Sequence, residues 1–204
     1  FPQNGASNAD SPIVGGGKNS CVLHYVENSA RLNDGDLLLI DAGCELDYYA
    51  SDITRTYPVN GRFSTEQQAV YEIVLKAQYA AIDKVRPGNH WNDPHDAAVK
   101  VITAGLQELG LLKGPLGKLI KDGAYSKFFM HRTGHWLGMD VDDVGDSKVG
   151  GHWLLLEPGR GLDVEPWNYI IARSRGMSQR WWWVVSRLRY AVVAPRWWLG
   201  GWTW

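Results

Sequence analysis

Four side chains spread along the sequence have the chemistry of a site for hard cations. Asp41 and Asp52 lie in LLLIDAGCELDYYASDITRTYP, Leu37 to Pro58, and each closes a run of apolar residues. A carboxylate at the end of a buried strand is costly unless positive charge meets it. No Lys or Arg lies between Asp36 and Thr54, although Arg55 is near. A divalent metal answers both acids, and oxygen ligands suit Mn, Zn, Co or Mg. The plain alternative is two turn aspartates facing water. Far downstream, FFMHRTGHWLGMDVDDVG holds His131 and His135, with Asp140, Asp142 and Asp143 close behind. The four-residue spacing of the histidines fits one helical face, but Gly134 and Gly138 argue for extended or irregular backbone that lets a ligand approach. Glu165 ends the short apolar strand Leu162–Pro166. Two aspartates, a histidine after a glycine and a strand-end glutamate suit a pair of divalent ions better than structural zinc, which takes several Cys or His. Two ions about 3.5 Å apart can acidify a water and present it to a carbonyl, which is the chemistry of amide hydrolysis.

The elements that must position these groups follow from periodicity. Leu37–Ile40 reads as a buried strand, Ala42-Gly43 breaks it, and Leu46–Ala50 reads as a second extended run before Asp52. Ser64 to Val85 reads as a helix: Ser64 and Gln67 form a capping box, and Val70, Ile73, Val74, Ala77 and Ala81 make an apolar stripe. Arg86-Pro87-Gly88 stops it. A second helix starts at Asp93, with Pro94 in the first position, and runs to Gly110. Asp93 and Asp96 are read as cap and first-turn residues, and His90 and His95 as solvated. Lys113–Lys127 reads as a loop or short helical linker and Phe1–Asn19 as irregular. Cys21–Tyr25, CVLHY, reads as a short strand in which His24 is an ordinary strand histidine.

With 204 residues the chain can bury a substantial core, most simply in one domain. A net charge of −1 makes no case for nucleic acid or an anionic membrane. Two cysteines, Cys21 and Cys44, give no disulfide framework, so a reducing, cytoplasmic setting is expected. No apolar run is long enough to span a bilayer, and the polar start is no signal peptide. The opening lacks Met, as a fragment would. Usage shifts sharply near the end. After Glu165 there is no Asp, Glu or Lys, yet Arg173, Arg175, Arg180, Arg187, Arg189 and Arg196 are present, and Trp181-Trp182-Trp183 are consecutive. An Arg/Trp surface for nucleic acid or membrane is one reading. Joint loss of acids and lysine with gain of Trp and Arg fits a disturbed reading frame better.

The stretches LIDAGCELDYYASDITRTYPVNGRFS, FFMHRTGHWLGMDVDDVG and LEPGRGLDVEPWNYI closely resemble the catalytic domain of the aminopeptidase P (Xaa-Pro aminopeptidase) family of pita-bread metallopeptidases, and the resemblance runs from about Ile13 to about Ile170. The resemblance implies an α/β (α+β) pita-bread fold, a curved antiparallel sheet backed by helices. It also implies a partial catalytic domain over residues 1–170, incomplete at both ends, with an aberrant Trp/Arg-rich tail over 171–204 in place of the last catalytic strands. By position, Asp41 matches the aspartate on one metal and Asp52 the aspartate bridging both. His135 and Glu165 match the histidine and glutamate ligands, and His24 and His131 the histidines flanking the substrate. The implied cofactor is two divalent ions, Mn first, with Zn or Co as alternatives. The implied reaction is release of an N-terminal residue from peptides with proline second, and intact family members form homo-oligomers.

The sequence departs from the family in two residues. Asp142 stands where the family has a histidine, which adds negative charge and removes an imidazole donor. Arg180 aligns with the arginine of the family's last metal-site strand, but Trp182 stands where its bridging glutamate belongs. Impaired metal binding and turnover are the expectation. The nearby alternative is an Xaa-Pro dipeptidase (prolidase). From another class, a non-catalytic pita-bread module that binds peptides or partners is the alternative; the survival of Asp41, Asp52, His135 and Glu165 argues against it.

Overall fold

A computed structural model describes residues 1–170 together with the backbone of 184–187 and 190–193. The strands are β1 (Ser7–Asn8), β2 (Ile13–Gly16), β3 (Leu37–Asp41), β4 (Cys44–Leu46), β5 (Tyr49–Ala50) and β6 (Thr54–Pro58). Three helices follow, α1 (Thr65–Ile82), α2 (Asp93–Glu108) and α3 (Leu116–Lys121). Then come β7 (Lys148–Val149), β8 (His152–Trp153), β9 (Gly161–Val164), β10 (Trp167–Ile170), β11 (Val184–Arg187) and β12 (Tyr190–Val193). Every strand pairing described is antiparallel.

The sheet centres on β3, an aliphatic strand flanked by β2 and β6. Along it Leu37, Leu39 and Asp41 are buried in alternation, as the period of two requires. The β3–β6 register sets Asp41 opposite Thr54, so the ladder ends at the acid. β9 pairs with β12, and β10 with β11.

The helices form where their signals lie. Ser64 Oγ accepts from the Gln67 amide at 3.2 Å, and Gln67 Oε1 accepts from the Ser64 amide at 2.9 Å, closing the capping box. Val70, Ile73, Val74, Ala77 and Ala81 of α1 are buried. Ala98, Val99, Ile102 and Leu106 of α2 complete the helix pair. Their cluster continues through Phe128, Phe129, Leu162 and Val164, so the helices back β9, the strand that leads into Glu165. Gln78 of α1, fully buried, donates to the Val164 carbonyl at 2.8 Å and ties that strand to the helix.

Several local expectations are corrected. Part of Phe1–Asn19 is ordered as β2, whose backbone pairs with β3 and whose Ile13 is buried. CVLHY is not a strand: Gly17–Cys21 is a 3-10 helix, and Val22 and Leu23 stand exposed in the turn after it, so their apolar character buries nothing. Leu46–Ala50 is split into β4 and β5 because Asp47 and Tyr48 turn the chain at φ 49° and 69°. The Lys113–Lys127 linker, by contrast, is as read: it is partly helical, with α3 and a 3-10 turn, Ala124–Lys127. His95 is not solvated but half-buried.

Candidate metal centre

Asp41 is the last residue of β3 and Asp52 lies two residues before β6, so the β3–β6 pair brings both carboxylates to one end of the sheet. Both are buried. Between them the chain makes the β4–β5 excursion and returns past Gly43, where any Cβ would collide with the Ser51 carbonyl. Glycine is required there by close approach rather than by φ.

The other half of the site is built by the segment 133–135 running beside β9. The Glu165 amide donates to the Thr133 carbonyl at 2.7 Å and the Asp163 amide to the His135 carbonyl at 3.1 Å. Along β9, Leu162 and Val164 face the helices. Alternation therefore turns Asp163, and Glu165 immediately after the strand, to the opposite face. His135 is irregular backbone, as Gly134 and Gly138 implied, and not on a helix.

The imidazole of His135 is oriented for ligation. Its Nδ1–H donates to the Trp136 carbonyl at 2.9 Å, which leaves the Nε2 lone pair outward, as metal-binding histidines are usually held. Nε2 faces Asp163 Oδ2 at 3.2 Å, Asp52 Oδ2 at 3.7 Å and Glu165 Oε1 at 3.9 Å. Ligand atoms of Asp52, His135 and Asp163 all lie within 4.8 Å of one another. An imidazole nitrogen amid buried carboxylate oxygens is a donor set that fits a divalent cation.

Asp41, Asp52, His135, Glu165, His24, His131 and Asp142 all line one cavity of about 370 Å³. His24 is exposed at its rim, and Asp142, also exposed, places Oδ1 3.7 Å from His135 Nδ1. His131 is half-buried, donates Nδ1–H to the Arg132 carbonyl at 2.7 Å and meets Trp167 edge-on at 4.1 Å. Ile13, Val141 and Trp167 add apolar wall. Arg180 and Trp182 lie outside the described residues. Asp163, which does not line that cavity but places Oδ2 3.2 Å from His135 Nε2, is an acid that the sequence reading passed over. Its signal was present in the strand reading of Leu162–Pro166, since alternation sets it on the face of Glu165.

The fold built around this cavity is the pita-bread fold. Pseudomonas aeruginosa aminopeptidase PepP matches it with a TM-score of 0.94 and 55% identity, over 96% of this chain and 45% of that one. Escherichia coli aminopeptidase P, solved with the inhibitor Pro-Leu, matches at 0.91 and 41% identity, over 96% of this chain and 44% of that chain. The chain belongs to metallopeptidase family M24, whose pattern it matches over residues 2–188. Membership of that family implies divalent metal ions. The Xaa-Pro aminopeptidase of Haemophilus influenzae is 54% identical over 158 residues, 78% of this chain. The chain spans 36% of the length of that curated relative. Among the described residues no helix is long and apolar enough to cross a membrane.

Proposed function

We propose that the chain carries the catalytic site of a dinuclear metallo-aminopeptidase that removes the N-terminal residue from peptides with proline in second position. The observation that carries this reading is the convergence of Asp41, Asp52, His135 and Glu165, remote in sequence, on one cavity. The similarity to Xaa-Pro aminopeptidases supports the substrate class. In this reading those four residues would hold two divalent ions, manganese first. When bound, such ions supply Lewis acidity to a peptide carbonyl and lower the pKa of a bound water.

The chain's own residues then orient and exclude. His24 and His131 flank the cavity; His24 can offer an imidazole N–H to the scissile carbonyl, while His131, whose Nδ1–H is held by the Arg132 carbonyl, packs against Trp167 beside it. Ile13, Val141 and Trp167 give a pyrrolidine ring an apolar wall. Asp142 sets a carboxylate where the aligned family residue is an imidazole, with Oδ1 3.7 Å from His135 Nδ1, and so adds negative charge beside the site. With Trp182 aligned to the bridging glutamate, weak ion binding and slow turnover follow. The free thiols of Cys21 and Cys44 favour a cytoplasmic setting.

The test is elemental analysis of the purified chain after Mn²⁺ loading and dialysis, with assays on an Xaa-Pro-Yaa tripeptide and an Xaa-Pro dipeptide. Mn retained at less than two ions per chain and lost in Asp52→Asn, and slow tripeptide cleavage that Asp142→His raises, are expected. Cleavage of the dipeptide alone would turn the assignment to a prolidase. Absence of any ion binding would defeat it in favour of a non-catalytic module.

A further inference from the structure

We propose that Asp163 is an additional carboxylate ligand of this chain's metal centre, on the ion held by His135; this rests on the metal reading given above. Asp163 is completely buried on β9 and shares the face of Glu165. Its Oδ1 accepts from the His135 amide at 2.6 Å, which fixes the carboxylate plane. Its Oδ2 then points at His135 Nε2, 3.2 Å away. Metal–oxygen bonds of about 2.0–2.6 Å place two ligand atoms of one ion at most about 4–5 Å apart. The ligand atoms of Asp52, His135 and Asp163 meet that limit at 4.8 Å.

Asp163 also has an anchoring role. Backbone bonds between 133–135 and 163–165 already join the two segments, and Oδ1 adds a third link. An asparagine would supply the same acceptor with no charge to bury. The charge of an aspartate adds an attraction for a divalent ion beside His135 Nε2 that an asparagine would lack. That oxygen lies within 4.8 Å of the ligand atoms of Asp52 and His135.

Asp163→Asn keeps the anchor and removes the charge. Mn²⁺ affinity by titration calorimetry is expected to fall at least about tenfold, with the apo-protein melting temperature little changed. Asp52→Asn, measured alongside, should fall as well. If Asp52→Asn falls and Asp163→Asn binds as the unaltered chain does, the added ligand is refuted while the metal centre stands. If neither falls, the metal centre itself is refuted. Crystals of the unaltered chain soaked in Mn²⁺ decide the point even if the variant does not fold. Anomalous density within about 2.6 Å of Asp163 Oδ2 is the expected result. An ion more than about 3.5 Å away would reduce Asp163 to a positioning residue and overturn the proposal.

Discussion

His95 sits near the start of α2 with its ring behind the segment that carries His135, and Nδ1 shares a hydrogen bond of 2.8 Å with Thr133 Oγ1. Burial pushes its pKa down to about 4, assisted by the charges of Arg132 and His131. Unfolded, the same imidazole titrates at its ordinary 6.5. Between those values the unfolded chain binds the proton and the folded chain does not, so stability rises with pH across that window. Acidification from pH 6.5 towards 4 should therefore remove stability, by up to about 3 kcal/mol at the acid end. His95→Asn, which cannot titrate, should flatten that slope while leaving stability above pH 7 less affected. Urea midpoints at pH 4.5 and 7, taken in chelator so that ion binding does not intrude, test it. Equal slopes for the two proteins would show that this imidazole takes up its proton without unfolding. The solvated reading of His95 failed because helical position alone did not reveal that Thr133, 38 residues on, would cover it.

At the scale of elements, the site depends on how closely the 133–135 segment approaches β9. A Cβ on Gly134 would run into the Asp163 carbonyl, which is backbone in a paired strand and cannot swing aside. At Gly138 the obstacle is the end of the Asp143 side chain, which can move. Gly134→Ala should thus cost about 1–3 kcal/mol and weaken Mn²⁺ binding, because His135 would be pushed off the carboxylates of β9. Gly138→Ala should cost clearly less. Denaturant melts and metal titrations on the two variants check the order, and a reversed order would remove the close-packing explanation. The long elements were legible from their own residues: α1 from a capping box and an apolar stripe, β3 from an aliphatic run. Short ones were not. β2 forms because β3 offers it a ladder, and CVLHY fails to form a strand although its residues favour one; neighbours decide such segments, not propensity.

For the whole molecule, the candidate ligands were legible as residue types, but their convergence was not. Asp41 and Asp52 arrive on adjoining ends of β3 and β6, whereas His135 and Glu165 arrive from the far side of the helix pair. Sequence alone supplied Glu165 and passed over Asp163, since Glu165 already matched the family's glutamate ligand on that stretch. An ion held as proposed would link segments that otherwise meet through the core and the sheet. Binding to the folded chain alone stabilises it by about 2.7 kcal/mol at a hundred times the dissociation constant. For a chain of this size each kcal/mol moves the melting temperature by about 2–4 °C. Saturating Mn²⁺ should accordingly raise the melting temperature by roughly 5–10 °C over the chelated protein. Asp41→Asn and Glu165→Gln should each reduce that rise, although one acid comes from β3 and the other follows β9. Calorimetric scans with and without chelator provide the measurement. A rise abolished by one substitution and untouched by the other would mean that the ion bridges nothing and belongs to one half of the fold.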